Sequence, residues 1–352
     1  MVVQARQLQD FYVRLLEAVG TPADDALVTA KVLVDADLRG RETHGAMRMP
    51  AYIRLARTGA LDATAKPKVE WIKGAVALID GGNGWGQTSA MLAVNVTKEQ
   101  IGKHFVFAVG IRNTNHIGTC AYYARELAKA GLFCFITTNS PPNMPPWGGR
   151  DPVLGTNPIA FGAPARNGEA IVFDMATSVA SKGKILLAAM KGEPIPEGWA
   201  LDSQGRPTTS ARDALGGTLL PVGGPKGYGL ALFADIFSGV LTGACVGTQL
   251  KSMYDEHPEA SGVGAFLFAL DAGVFGMQGV EDRMDQLIGM IREVRPMEDV
   301  DRIWLPGERS NRLAEQRLRE GIPISESVLA SLNEVAAELG VEPLLESSRK
   351  EV

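Results

Sequence analysis

The stretch from residue 112 to residue 163 constrains this 352-residue chain more than any other. It places His116 among small polar residues, directly after an apolar run that predicts a strand. An amphipathic run over 121–130 predicts a helix ending at Gly131, and the apolar run 132–136 predicts a second strand. The long Pro/Gly-rich segment 140–158 follows, and loops of that length are usually functional. The order indicates an active site on a rigid frame, although a structural histidine bonded to its polar neighbours fits the local pattern equally well.

Composition narrows the class of protein. The net charge of -5 argues against nucleic acid or an anionic membrane as the main partner, and no apolar run is long enough to cross a bilayer. The first ten residues lack the apolar core of a signal peptide. Three widely spaced cysteines do not form a disulfide framework, so we expect a reducing, cytoplasmic compartment. Forty glycines indicate many tight turns and close backbone approaches.

Helix and strand signals alternate along the rest of the chain. A helix is predicted over 8–19, and a second is predicted to begin with Thr21 as N-cap and Pro22 at its first position, ending near Gly40. Pro50 fits the first turn of another helix, which ends near Gly59. Further predictions are a hairpin over 69–80, helices over 89–103, 280–292 and 325–339, a helix carrying Lys182 and Lys184, an apolar helix from the 223–229 turn to about Leu241, and strands over 105–111, 170–173, 218–222 and 266–270.

His44 and Arg48 are the second pair of candidate functional residues. They are four apart, so they share a face if this turn is helical. Pro50 works against that, because the residue before a proline avoids the α region. The plain alternative is that Arg48 is a surface charge.

Nucleotide and metal patterns are mostly absent. The dinucleotide fingerprint G-x-G-x-x-G is missing, and so is the Walker pattern. Two turns that lead into helices, 174–178 and 223–229, can still bind an anion with free N–H groups, although each could be an ordinary strand-to-helix turn. No metal site is apparent, because the histidines at 44, 104, 116 and 257 lie far apart. His116 and Cys120 are too close in sequence for the usual Cys/His hydrolase or transferase.

Six short runs occur in an order that resembles one family. They are Arg39-Gly40-x-x-Thr43-His44-Gly45, Arg112-Asn113-x-x-His116-x-Gly118, Gly155-Thr156-Asn157-Pro158, Asp174-Met175-Ala176-Thr177-Ser178, Gly224-x-Lys226-Gly227-Tyr228-Gly229 and Leu305-Pro306-Gly307-Glu308. Together they resemble the type-2 malate/L-lactate dehydrogenases over roughly residues 8 to 340. That family also holds ureidoglycolate and sulfolactate dehydrogenases, diketogulonate reductase and piperideine-2-carboxylate reductase.

The resemblance implies a fold and an organisation. It implies a non-Rossmann NAD(P)-binding α/β fold, with a mixed, largely antiparallel sheet flanked by helices, plus a helical lobe from the chain ends. We expect residues 1–75 and 310–352 to form that substrate and dimerisation lobe. Residues 76–309 then form the NAD(P)-binding domain, with a polar excursion and its own hairpin at 193–215. Members are typically cytoplasmic homodimers.

The resemblance also implies roles for individual residues. His116 matches the acid/base histidine, and His44 matches a histidine that contacts the substrate and has been treated as the proton donor in some members. Substrate-binding positions match Arg48 for the carboxylate, with Thr43, Tyr52, Thr156 and Asn157. Cofactor-binding segments match Ser140, Asp174, Met175, Ala176, Thr177, Ser178, Lys182, Pro225, Lys226, Gly227, Gly307, Glu308 and Arg309.

The chemistry of these residue types agrees with the resemblance. Oxidation of a 2-hydroxy acid needs a base near neutrality, which histidine supplies, and a planar guanidinium can hold the carboxylate with two hydrogen bonds. We therefore expect an NAD(P)-dependent oxidoreductase of a small 2-hydroxy or 2-oxo acid, with reduction of a cyclic 2-imino acid as the alternative. Pro141 and Pro142 stand where some NAD-specific members carry an acid, so NADP is slightly favoured over NAD.

Overall fold

A seven-stranded sheet forms the centre of the structure, a computed structural model that describes residues 1–166, 170–255, 258–276 and 279–344. With strands numbered in chain order, the sheet runs from edge to edge through Lys68–Lys73 (β2), Val76–Asp80 (β3), Val106–Thr114 (β4), Val263–Asp271 (β11), Leu132–Thr138 (β5), Ile159–Pro164 (β6) and Ala170–Met175 (β7). Within it β3 and β4 are parallel, and the other neighbouring strands are antiparallel. The predicted mixed, largely antiparallel sheet is confirmed.

Two helices cover one face of the sheet. They are α4, Gly86–His104, and α5, Cys120–Ala128. Alternate residues of the central strands point toward them, among them the buried Phe107, Val109 and Leu267. Since β4 enters His116 from this core and α5 leaves just after it, the backbone around His116 is fixed on both sides.

The opposite face is covered less completely. Helix α8, Pro225–Asp235, continues into a π-helical turn, Ile236–Val240. Phe233 meets Phe135 of β5 with ring centroids 5.6 Å apart, and Phe237 meets Phe266 of β11 at 5.0 Å. Beyond these contacts the helix exposes apolar side chains, including Val240 at 65% and Leu241 at 63%.

The two chain ends pack together around a separate apolar cluster. Its helices are α1, Ala5–Ala18, α2, Ala23–Leu38, α3, Met49–Thr58, and α11, Glu326–Leu339. Val2–Val3 (β1) pairs antiparallel with Ile322–Pro323 (β12), which joins the first residues to the segment before α11. Helix α10, Glu308–Glu320, docks on α2 through a 2.5 Å hydrogen bond from Arg39 to Asn311.

A small sheet and several helices lie outside these two cores. Ala200–Leu201 (β8) pairs with Pro207–Thr208 (β9) and Thr218–Leu219 (β10), so the predicted hairpin inside 193–215 is confirmed. Helix α6 spans Lys182–Lys191, α7 spans Ala211–Leu215 and α9 spans Val280–Arg292. The predicted domain boundary at residue 75 falls inside the β2–β3 hairpin, both strands of which belong to the central sheet.

Two local predictions need correction, and two elements were not predicted. Helix α2 begins at Ala23, and Thr21 does not cap it, because its hydroxyl accepts a 3.1 Å hydrogen bond from the Trp85 indole. The predicted strand 218–222 shortens to two residues, since the chain turns there toward α8. Strand β6 follows the Pro/Gly-rich segment and was not predicted, and neither was the β1–β12 pair. The predicted helices around Pro50 and after Ser325 are confirmed, with Gly59 and Gly340 as their left-handed C-caps.

Candidate active site

His116 lies where three elements meet. It follows β4 and precedes α5, and its Nδ1 atom is 2.6 Å from the hydroxyl of Tyr52 on α3. The Gln87 side chain on α4 donates a 2.9 Å hydrogen bond to the same hydroxyl. The Gly118 backbone N–H also points at Nδ1, at 3.3 Å. The imidazole is therefore held through Nδ1, while part of its surface stays accessible.

His44 lies beside His116, so the structure brings the two predicted histidines together. Their ring centroids are 5.5 Å apart with a tilt of 33°. The Thr43 hydroxyl lies 3.1 Å from Nδ1 of His44. His44 ends one 3₁₀ turn, Glu42–His44, and Arg48 ends the next, Ala46–Arg48. The expected helical face shared by His44 and Arg48 is thus replaced by two short turns separated at Gly45.

Both histidines are neutral near pH 7. Burial, together with the nearby cations of Arg48 and Arg41, lowers the pKa of His44 to about 3. Burial, Arg48 and His44 also hold the pKa of His116 well below its usual value. Because cations disfavour a second positive charge here, an anion bound beside Arg48 would raise both pKa values. A carboxylate bound beside Arg48 would therefore make both rings easier to protonate.

A buried carboxylate on α2 holds the segment that carries His44 and Arg48. Both Asp37 oxygens accept from the Ala46 backbone N–H at 3.0 Å, and one accepts from the Tyr12 hydroxyl at 3.1 Å. Gly45 is required here, because a Cβ at that position would lie 2.1 Å from an Asp37 oxygen. Asp37 thus sets the position of the turn between the two site residues.

Arg48 is partly buried and has an unused donor. Its Nη1 atom donates to the Tyr254 hydroxyl and lies 3.6 Å from the Met253 sulfur, and its guanidinium lies over the Tyr254 ring at 5.4 Å. Its Nε–H is buried and has no partner among the described residues. A buried donor without a partner is costly, and a substrate carboxylate would satisfy it.

The predicted cofactor segments are joined to one another by hydrogen bonds. Ser140 donates to the Asn157 side chain through its backbone N–H at 2.9 Å and its hydroxyl at 3.3 Å. Thr177 donates to the Thr156 carbonyl at 2.9 Å, and the Val222 N–H donates to the Thr177 carbonyl at 2.9 Å. The last bond leads into Pro225, Lys226 and Gly227 at the start of α8. These hydrogen bonds therefore hold together segments that are far apart in sequence.

Asn157 has a position that its predicted role did not anticipate. It is completely buried, and its amide also donates to the Ala231 carbonyl at 3.0 Å. The side chain thus braces Ser140 against α8, and direct substrate contact by Thr156 and Asn157 stays a prediction. Lys182 is exposed at the first residue of α6, which Ser181 caps.

A cavity of about 200 Å³ opens one turn beyond His116. Its wall contains Thr119 and Ala121 at the start of α5, Asp174 at the end of β7, and Gly307. Three arginines, Arg39, Arg41 and Arg125, line the same space. The Asp174 carboxylate accepts from the Ala121 N–H at 2.8 Å, and burial raises its pKa. Guanidinium groups and a helix N-terminus together suit a phosphate-bearing ligand.

The predicted segment 307–309 also borders this cavity. The Val172 N–H donates to the Pro306 carbonyl at 3.3 Å, which ties the segment to β7. Glu308 is engaged at the start of α10, where it accepts from the Leu305 N–H and pairs with Arg292 and Arg302. The guanidinium of Arg309 lies 5.4 Å from the centre of the Trp304 ring.

The rival chemistries have little support. Burial and the nearby Asp174 raise the pKa of the Cys120 thiol well above its usual value, which disfavours a thiolate nucleophile. Among the described residues no group of His, Cys, Asp and Glu could hold a metal ion. His257, one of the four histidines considered for a metal site, lies outside the described residues. No described helix is long and apolar enough to cross a membrane.

Sequence reasoning missed four residues that shape the site. The predictions gave no role to Asp37 and Tyr12, which lie in predicted helices, or to Gln87 and Tyr254, which lie outside them. Gln87 lies 35 positions from Tyr52, and Tyr254 lies 206 positions from Arg48. No local pattern reveals them. Gln87 does occupy the third glycine position of the run nearest to the G-x-G-x-x-G fingerprint, residues 82–87.

The arrangement of these site residues indicates a class of protein. Two adjacent neutral histidines, an arginine with a free donor and a basic cavity next to them suit proton exchange with a bound carboxylic acid and a phosphate-bearing cofactor. Residues 3–333 match the family model for malate/L-lactate dehydrogenase. The chain belongs to this family, and it is an oxidoreductase; the predicted resemblance is confirmed.

Individual relatives cover almost the whole chain. Malate dehydrogenase of Pyrococcus abyssi is 40% identical over 347 residues, which is 96% of this chain and 95% of the relative. The (2R)-3-sulfolactate dehydrogenase (NADP(+)) of Chromohalobacter salexigens is 35% identical over 335 residues, 95% of this chain and 98% of the relative. The solved sulfolactate dehydrogenase of Methanocaldococcus jannaschii superposes with a TM-score of 0.91 at 35% identity, covering 97% of this chain and 98% of that one.

The buried carboxyl group of Asp37 predicts that the stability of the protein depends on pH. Burial, partly offset by the Ala46 and Tyr12 hydrogen bonds, raises the pKa of Asp37 from 3.8 to about 7, with Glu42 raising it and Arg317 lowering it. The folded protein thus holds this proton more tightly than the unfolded chain. The stabilisation that comes from this pKa difference is complete below pH 3.8, and it is lost as the pH rises through about 7. Asp37→Asn, which stays neutral, should therefore gain stability relative to the wild type between pH 5 and pH 8.

Urea denaturation followed by circular dichroism at both pH values would measure this difference. Asp24→Asn removes an exposed carboxylate from the same helix and should show no such gain. If Asp37→Asn instead loses relative stability toward pH 8, the carboxylate is ionised in the folded protein and the interpretation of its hydrogen bonds must change.

Proposed function

We propose that this protein transfers a hydride between a nicotinamide cofactor, NAD or NADP, and a small 2-hydroxy or 2-oxo carboxylic acid. The observation that carries the proposal is the neutral His116 next to His44 and Arg48, whose buried Nε–H lacks a partner. The cofactor accepts or supplies the hydride when bound. Reduction of a cyclic 2-imino acid is the alternative within the family, because it uses the same carboxylate contact and the same hydride.

His116 is assigned the role of acid/base. Its Nδ1 atom is occupied by Tyr52 and Gly118, so Nε2 is the atom left for the oxygen on the reacting carbon. His44 and Thr43 lie on the next turn and can hydrogen bond the same oxygen as charge develops on it. The carboxylate next to the reacting carbon binds Arg48, which fixes the face that the substrate presents.

The cavity beside α5 is assigned to the phosphate-bearing part of the cofactor. Arg39 and Arg125 both pair with Asp35, so their positions are held before a ligand arrives. Arg41 is exposed at the rim of the cavity. It lies close enough to His44 to lower the pKa of that ring, and close enough to Asp174 to offset part of the rise in pKa that burial causes. The segments that carry Ser140, Thr177 and Lys226, which these hydrogen bonds hold together, complete the proposed binding site.

We further propose a cytoplasmic homodimer in which the two chain ends form one lobe and the central sheet, with both strands of the β2–β3 hairpin, belongs to the NAD(P)-binding domain. All three cysteines are free thiols, which suits a reducing compartment. Exposed apolar side chains form a continuous run at the end of α8 and after it, namely Leu230, Phe233, Ile236, Val240 and Leu241. Such a run is typical of an interface, and a second copy would cover the open face of the sheet.

The acid/base assignment predicts different effects for the two histidines. His116→Ala should lower turnover by roughly 10²–10⁴-fold, the range for loss of general acid–base catalysis, with cofactor affinity little changed. His44→Ala should raise KM more than it lowers kcat. Steady-state kinetics with a panel of 2-oxo acids and cyclic imines would test this. Full turnover in the first variant with an inactive second would reverse the roles.

The carboxylate assignment predicts that Arg48→Lys is not conservative. An ammonium cannot reproduce a planar two-bond contact, so the variant should lose on the order of 2–5 kcal/mol in transition-state binding. The loss should be equal for every 2-oxo acid, because all share the carboxylate. A substrate ester should slow the wild type strongly and the variant little; an equal penalty in both would place the carboxylate at another residue.

The cofactor proposal predicts that NADPH is used at least as well as NADH. No acid follows Ser140, so nothing at positions 141 and 142 repels a 2′-phosphate, and Lys182 is exposed and free to meet one. Lys182→Ala should then raise the KM for NADPH selectively, whereas Lys191→Ala at the far end of α6 should change neither KM. An equal rise for both cofactors would assign Lys182 to the pyrophosphate or to the fold.

The interface proposal predicts a change in mass. The wild type should sediment as a dimer, and the double substitution Val240→Asp and Leu241→Asp should produce monomers, because charges at both positions would have to be desolvated. Asp substitutions at the exposed Trp71 and Ile72 of edge strand β2 serve as the control and should leave the dimer intact. A monomeric wild type at micromolar concentration would refute the proposal.

A further inference from the structure

Gln87 is a buried amide that the proposed chemistry does not use. It lies in the first turn of α4, is completely buried, and its Nε2 atom donates to the Tyr52 hydroxyl at 2.9 Å. Its Oε1 atom has no partner among the described residues. Burying an amide with half of its capacity unused is unfavourable, so the packing of Gln87 against Tyr52 calls for a functional explanation.

The hydrogen bonds around His116 show which groups donate and which accept. A backbone N–H can only donate, so the 3.3 Å contact from Gly118 makes Nδ1 of His116 an acceptor. The Tyr52 hydroxyl, 2.6 Å from the same atom, must then donate to it as well. The oxygen of Tyr52 in turn accepts from Gln87. All three contacts agree with one chain of donors that runs from Gln87 through Tyr52 to His116.

That direction determines where the imidazole carries its proton. A neutral ring has one N–H, and with Nδ1 accepting, the proton must lie on Nε2. Burial raises the pKa of Tyr52 well above its usual value, so the phenol keeps the proton that it donates. Both Gln87 and Tyr52 are closed off from solvent, so water cannot replace the amide as the donor to Tyr52.

We propose that Gln87 is a positioning residue that acts through Tyr52 to keep His116 in the Nε2–H tautomer. The inference rests on the proposed role of His116 as acid/base. In this tautomer the accessible side of the ring presents an N–H that can hydrogen bond the carbonyl oxygen of a 2-oxo acid and polarise it for hydride transfer. Gln87 touches neither substrate nor reacting atoms in this scheme.

The test reads the tautomer directly, in the whole protein without substrate. The enzyme is labelled with ¹⁵N-histidine, and the His116 signals are assigned by comparison with His116→Ala. The wild type should show an acceptor-type Nδ1 and a protonated Nε2 near pH 7. In Gln87→Leu the Tyr52 hydroxyl loses the donor that orients it. Only the longer 3.3 Å contact from Gly118 then holds Nδ1 as an acceptor, so the Nδ1–H form of His116 should grow severalfold. Thr97→Val, at a buried polar position on the same helix far from Tyr52, should leave the His116 signals unchanged.

Kinetics provide the second measurement. Gln87→Leu should lower kcat for reduction of a 2-oxo acid by about 10-fold or more, while KM and cofactor affinity change little. The reason is that fewer protein molecules then carry the His116 proton on Nε2, which faces the substrate oxygen. A wild-type protein with the proton on Nδ1, or a Gln87→Leu spectrum identical to that of the wild type, would overturn the proposal. If His116→Ala retains turnover while the tautomer shifts as expected, the proposed acid/base role fails and the structural inference stands.

Discussion

The close approach of helix α4 to the backbone of His116 is the contact on which the site depends. A Cβ at Gly86 would lie 2.3 Å from the carbonyl oxygen of Asn115 and 2.5 Å from that of His116, so any larger residue would push the helix away. This contact lets Gln87 reach Tyr52 and lets Trp85, next to it, pack edge-on against the same ring. The central sheet and the helices of the chain ends meet at this point. Neither part contains a complete site by itself.

The electrostatics of the site follow from burial among cations. Desolvation and Arg48 together keep both histidines neutral, and an arginine with a buried, unpartnered donor lies next to them. A carboxylate that binds Arg48 satisfies the donor and removes the repulsion that holds the histidine pKa values down. In the proposed function, binding of the substrate and the proton affinity of the ring are therefore coupled.

Part of this architecture could be read from the sequence because it depends on neighbours in the chain. Pro50 and Gly59 act within one helical turn, and the hairpin at 69–80 forms between adjacent runs, so local rules sufficed. Thr21 shows where those rules fail: it has the composition of a helix cap, but its hydroxyl accepts from Trp85, 64 residues away. Asp37, Gln87 and Tyr254 were missed for the same reason, because their roles exist only after distant elements have packed.

In the proposed function, the residues that bind the groups common to all candidate substrates are different from those that contact the substrate's side chain. This separation explains how one fold can bind several acids. Arg48, His44 and His116 are held by Tyr254, Thr43 and Tyr52. In the proposed function they bind the carboxylate and the reacting oxygen that all the candidate substrates share. The substrate's side chain must then be read by other surfaces. Tyr254 belongs to the segment that Arg54 anchors through the Met253 and Asp255 carbonyls, and it is 60% exposed. A residue that contacts Arg48 and still faces solvent can adjust around different substrates while the catalytic geometry behind it stays fixed.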